Sequence, residues 1–155
     1  MPQNLNKAEL WKLDEQGQAD AAATALRQAL TYYSGPYMED VYNEWARPRR
    51  EHFYLRRLAC LQRLAGIEER LGRYEDAARR YFEVLEDPVP QENAVRGLMR
   101  YFARRQEYGR VRDQFERLQR ELGPEVALSP ETQALYQELM SQANAAPQGA
   151  SIPRG

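Results

Sequence analysis

The sequence predicts an all-α fold: a right-handed stack of antiparallel helix pairs, about seven helices in all, closed by a C-terminal capping helix. Three observations carry this. Leu64 recurs as Leu98, Tyr74 as Tyr108, Ala77 as Val111, Tyr81 as Phe115 and Val84 as Leu118, always 34 residues on, the period of a helix–turn–helix repeat. In each copy a small or β-branched residue precedes an aromatic by four (Ala77 and Tyr81, Val111 and Phe115), which puts both on one helical face. Turn residues, Gly72 and Gly123-Pro124 among them, fall where each helix must stop. A helix pair cannot bury its apolar face alone, so neighbours must stack.

The elements follow in order. Asn6 caps a first helix over residues 7–15, with Leu10, Trp11 and Leu13 on its apolar side, and Gln16-Gly17-Gln18 is expected to break it. An alanine-rich helix follows over 19–32, its stripe being Ala22, Ala25, Leu26, Ala29 and Leu30, so the two form a helical hairpin. Tyr33-Ser34-Gly35-Pro36 turns the chain, and Asp40 caps a short helix to Trp45. Pro48 opens a long helix, since its missing N–H costs nothing in the first turn. Leu58, Leu61, Leu64, Ala65 and Leu71 form its core face, and Gly72 stops it.

Residues 74–85 complete the first full repeat, and Asp87-Pro88-Val89-Pro90 punctuates the chain, because proline disfavours helix in the residue before it. Residues 90–106 and 108–122 make the second repeat. Ser129-Pro130-Glu131-Thr132 then opens a capping helix to residue 142: a capping serine, proline at the first helical position and an acid in the first turn. The helical domain is expected over 5–142. Residues 143–155, rich in Ala, Pro, Gly, Ser and Gln, read as a flexible tail or linker.

Composition narrows the function. The 155 residues fit one domain, and a formal net charge of −1 gives no global attraction to nucleic acid or an anionic membrane. Cys60 is the only cysteine, which suits a reducing cytoplasm; no apolar run is long enough to span a bilayer. A cytoplasmic protein is the expectation. His52 is the only histidine, and there is no glycine-rich phosphate loop, metal-ligand spacing or hydrolase elbow. Cys60 reads as a small core residue, and Glu68-Glu69 and Glu75-Asp76 as solvated carboxylates amid arginines. No enzyme, cofactor or metal is expected.

Three stretches sharpen the reading. Tyr32-Tyr33-Ser34-Gly35-Pro36-Tyr37-Met38 is followed by Glu44-Trp45-Ala46 and Arg50. Leu85-Glu86-Asp87-Pro88 is followed by Glu92 and Leu98-Met99-Arg100. Glu121-Leu122-Gly123 is followed by Ser129-Pro130-Glu131-Thr132 and Leu135-Tyr136. In that order they resemble the bacterial transcriptional activator domain, a tetratricopeptide-like helical module of antibiotic-pathway and larger multidomain regulators, over roughly 5–140.

The resemblance implies self-association or contact with another protein, either the transcription machinery or another domain of the same regulator. A homodimer is one form of this. Such regulators carry a winged-helix DNA-binding domain upstream, so the chain is either an excised module or a stand-alone version, and no direct DNA binding is expected of the module. The segment between Gly123 and Ser129 is slightly longer than is usual in the family.

Two groups of residues are candidates for partner contact. Trp45 and Arg50 match family positions, with Tyr33 and Tyr37 flanking the turn; against this stands plain local packing. Arg96, Arg100 and Arg104, spaced by four, share one helix face with Asn93, opposite Val95, Leu98, Met99 and Phe102. By analogy with the repeat fold that face lines a groove, with Arg70 alongside, one period before Arg104. Guanidinium forks there would suit an acidic or C-terminal carboxylate ligand; the alternative is a solvated face with weak intrahelical pairs. The expected function is an interaction domain of a transcriptional regulator. Its rivals are a repeat adaptor unrelated to transcription and a nucleic-acid binder using the arginine stripe.

Overall fold

The computed structural model describes residues 7–33 and 47–145, with side chains over 15–33 and 51–145. The described residues form six helices and no strand: α1 (Lys7–Tyr33), α2 (Arg47–Arg70), α3 (Tyr74–Val84), α4 (Glu92–Arg104), α5 (Tyr108–Leu122) and α6 (Pro130–Ala145). Contacts divide the chain into two compact units, Met1–Glu86 and Asp87–Gly155.

In the first unit α2 packs against both α1 and α3. Leu64 and Ile67 of α2 are buried with Ala23 of α1, and Ala19, Ala22, Leu26, Leu30 and Leu71 pack around them. Small residues on α1 permit this close approach. Ala23 is the fully buried member of the alanine-rich stretch, while Ala25, expected in the stripe, is exposed. Ion pairs link neighbouring elements: Arg57 of α2 with Glu83 of α3 at 3.2 Å, and Arg73, just before α3, with Asp20 of α1. The tips of α1 and α2 also meet through rings, Tyr33 lying 5.8 Å from Phe53.

One expectation fails here. α1 runs unbroken through Gln16-Gly17-Gln18, so the predicted N-terminal hairpin is a single helix of 27 residues, and the described residues hold six helices against the expected total of about seven. A lone glycine in a helix costs only about 0.5–1 kcal/mol relative to alanine. The glutamines beside it are good helix formers, and the alanine run beyond it carries the helix on. The predicted short helix from Asp40 to Trp45 lies outside the described residues.

In the second unit α4, α5 and α6 all pack against one another. Val95, Leu98, Met99 and Phe102 of α4 are buried, as are Val111, Phe115 and Leu118 of α5 and Leu139 of α6. Phe115 stacks on Tyr136 of α6 with ring centres 3.9 Å apart and planes 4° from parallel. α5 ends where Gly123 takes φ +81°, a conformation that glycine adopts without strain.

The 34-residue period holds at the level of single hydrogen bonds. α2 ends with Gly72 at φ +79°, its N–H bonded to Glu69 O and that of Arg73 to Glu68 O. α4 ends with Gln106 at φ +60°, its N–H bonded to Ala103 O and that of Glu107 to Phe102 O. Both are left-handed turns that satisfy the last carbonyls of a helix. The architecture is all-helical and tetratricopeptide-like, as the spacing predicts.

Candidate protein-interaction surface

α4 owes its exposed line to its pattern of buried residues. Ala94, Val95, Gly97, Leu98, Met99, Phe102 and Ala103 are all buried. At 100° per residue these cover most of the helix circumference. Asn93, Arg96, Arg100 and Arg104 fall together in the narrow remaining sector, flanked by Ala103 on one side and Gly97 on the other. Asn93 and Arg104 are exposed, and Arg96 and Arg100 partly so. The predicted face therefore exists as a thin polar line on an otherwise buried rod.

Its members differ in what they do. Arg96 keeps only 19% of its side chain exposed; its Nη1 donates to Thr132 Oγ1 at 2.9 Å, and its Nη2 lies 3.7 Å from Glu131. Both partners stand in the first turn of α6. Glu92, one turn earlier on α4, accepts from Ser129 N–H at 3.0 Å. Ser129 in turn caps α6: its Oγ accepts from Thr132 N–H at 3.3 Å and lies 2.9 Å from Thr132 Oγ1. Gln133 closes the corner by donating to Leu128 O at 3.1 Å. Two of the stretches singled out in the sequence, around Glu92 and from Ser129 to Thr132, thus meet as one clasp between α4 and α6.

Arg100 and Arg104 lie one and two turns beyond Arg96, and both engage other groups of the chain. Arg70 belongs to the first unit: it is exposed and lines, with Glu15, Gln16, Ala19 and Leu71, a recess of about 340 Å³. Tyr37 and Trp45 lie outside the described residues, as does the side chain of Arg50.

Sequence reading missed one charged pair. Glu68, expected on a solvated surface, is wholly buried, and its Oε1 accepts from Arg80 Nε at 3.1 Å. Its Oε2 is buried with no hydrogen-bond partner. One residue along each helix, Tyr81 donates from its hydroxyl to Glu69 Oε1 at 3.0 Å. One period on, the same four positions are Phe102, Gln114, Ala103 and Phe115. The signal that could have found the pair is this comparison of copies, because Phe102 marks an interior position. Among the described residues no group of three or more His, Cys, Asp or Glu could hold a metal, and no helix is long and apolar enough to cross a membrane.

The family model of the bacterial transcriptional activator domain matches residues 5–140. No curated protein and no solved structure matches the chain.

Proposed function

The chain belongs to the bacterial transcriptional activator domain family, and on that premise we propose that it serves as the interaction domain of a bacterial transcriptional regulator. In this reading it offers the Asn93–Arg100–Arg104 line of α4 to a protein of the transcription machinery. The observation that carries the reading is the burial pattern of α4: packing consumes nearly its whole surface, and what is left is polar and basic. A helix held so firmly presents its side chains with little entropy left to lose, which favours recognition of a partner. The Glu92–Ser129 and Arg96–Thr132 bonds add to that rigidity by fixing α6 against the same helix.

The test is transcriptional. The chain is tethered to an unrelated DNA-binding domain upstream of a bacterial reporter. Expression is expected to rise, and to fall back in the Arg100→Ala, Arg104→Ala double variant while circular dichroism shows the helices intact. A tethered chain that leaves the reporter at background, or a double variant as active as the parent, would overturn the proposal.

A further inference from the structure

We infer that the recess between α1 and the end of α2 is a binding site for a small zwitterion, an amino acid with a short apolar side chain. The recess holds about 340 Å³ and is lined by Glu15, Gln16 and Ala19 of α1 and by Arg70 and Leu71. Ala19 and Leu71 are partly buried and pack against the core of the first unit, so they supply a fixed apolar surface. Glu15 and Arg70 are exposed. Among the described residues neither of them makes an ion pair or a hydrogen bond.

The adjoining contact shows what direct pairing across this seam looks like. Asp20, five residues on from Glu15, meets Arg73, three residues on from Arg70, carboxylate to guanidinium. Glu15 and Arg70 line one recess and stay apart. They therefore offer one acid and one base, each open to a charge brought by a guest. Arg70 takes a carboxylate through paired N–H bonds, and Glu15 takes an ammonium. Gln16, with both a donor and an acceptor on its amide, serves either group.

Charge and size select the occupant together. A polyanion meets repulsion from Glu15 and a polyamine meets it from Arg70, whereas a net-neutral molecule carrying both charges opposes neither. Ligand pockets span about 300–1,000 Å³, and this one lies at the small end, which fits a single amino acid. An aliphatic side chain on that molecule covers Ala19 and Leu71 and removes apolar area from water.

The experiment is an NMR titration of the full chain at pH 7, following the signals of Ala19 and Leu71. The probes are L-leucine, N-acetylleucine, leucinamide and glycine. Leucine is expected to shift both signals to saturation. N-acetylleucine lacks the ammonium and leucinamide the carboxylate, so each is expected to bind about tenfold more weakly, the value of one lost charge-assisted contact. Glycine, with no side chain, is also expected to bind more weakly than leucine. Arg70→Gln and Glu15→Gln should each weaken leucine by about tenfold. Arg63→Gln, which removes the same charge from an exposed position of α2 outside the recess, should leave binding unchanged. The exchange Glu15→Arg with Arg70→Glu should restore leucine binding with the molecule reversed, which a merely unfolded variant cannot do.

Absence of any shift with leucine, a blocked analogue or glycine that binds as tightly as leucine, or an unchanged Arg70→Gln overturns the inference. Binding is read here without transcription, so the site stands or falls separately from the Arg100 and Arg104 surface tested by the reporter.

Discussion

Glu68 and Arg80 form a buried ion pair across α2 and α3, with Glu68 at 0% exposure and Arg80 at 22% in their side chains. In the second copy of the repeat the same two positions are Phe102 and Gln114. Removing one partner of a buried pair strands the other in a poor solvent, whereas replacing both with well-packed residues often costs little. Arg80→Ala is therefore expected to destabilise the chain by about 3 kcal/mol, at the low end for such pairs because Arg80 is partly wet. The double change Glu68→Phe with Arg80→Gln, borrowed from the second copy, should cost less than Arg80→Ala alone. Urea unfolding of the three proteins decides it, and a double variant worse than the single one would refute the account.

The paired helix ends offer a second comparison. Gly72 and Gln106 occupy equivalent left-handed positions, at φ +79° and +60°. A side chain there costs roughly 1–2 kcal/mol of backbone strain, part of which glycine's greater freedom in the unfolded chain takes back. Gln106→Gly is expected to raise stability by about 0.5–1 kcal/mol. Gly72→Ala should lower it by about 1 kcal/mol, through the backbone alone, since nothing lies within 4 Å of an added Cβ. Thermal melts of both variants should move in opposite directions.

Tyr81 and Phe115 are repeat equivalents with different partners. The hydroxyl of Tyr81 reaches Glu69, so Tyr81→Phe is expected to cost about 1 kcal/mol. Phe115 has no hydroxyl and lies flat on Tyr136, so Phe115→Ala should cost about 3–5 kcal/mol and loosen α6. Hydrogen exchange in α6 reads the difference: faster in Phe115→Ala, unchanged in Tyr81→Phe.

Glu107, just before α5, titrates below the ordinary carboxylate range. The hydrogen bond from Arg105 at 2.7 Å is the main cause, and the charges of Arg105 and Arg110 add to it. A carboxyl whose folded pKa is depressed contributes stability that is present above its unfolded pKa, about 4.3, and lost as pH falls through the folded value. An NMR titration should place Glu107 below the usual glutamate midpoint, and Arg105→Ala should move it up. A midpoint that ignores the substitution would contradict the assigned cause.

Much of the fold could be read from the residues. The 34-residue ladder predicted the pairs α2–α3 and α4–α5, and Gly72, Gly123 and Ser129-Pro130 marked helix ends close to where they occur. These signals are local: a glycine's backbone freedom, a capping hydroxyl and a repeating apolar face act within a turn or two of themselves. The same locality misjudged Gly17, whose modest cost is outweighed by good helix formers on both sides. For the candidate surface, the spacing of Arg96, Arg100 and Arg104 correctly placed all three on one line of α4.

Which partner each polar group takes was beyond such reading. Arg96 meets Thr132, 36 residues away, and Glu68 is closed over and meets Arg80 on the next helix. A charge written in a sequence looks like a solvated one, because periodicity reports which face a residue is on and not what is packed against that face. Secondary structure and its punctuation follow from short-range sterics and hydrogen bonds along the chain. Burial and pairing arise only when helices distant in sequence come into contact and expel the water between them.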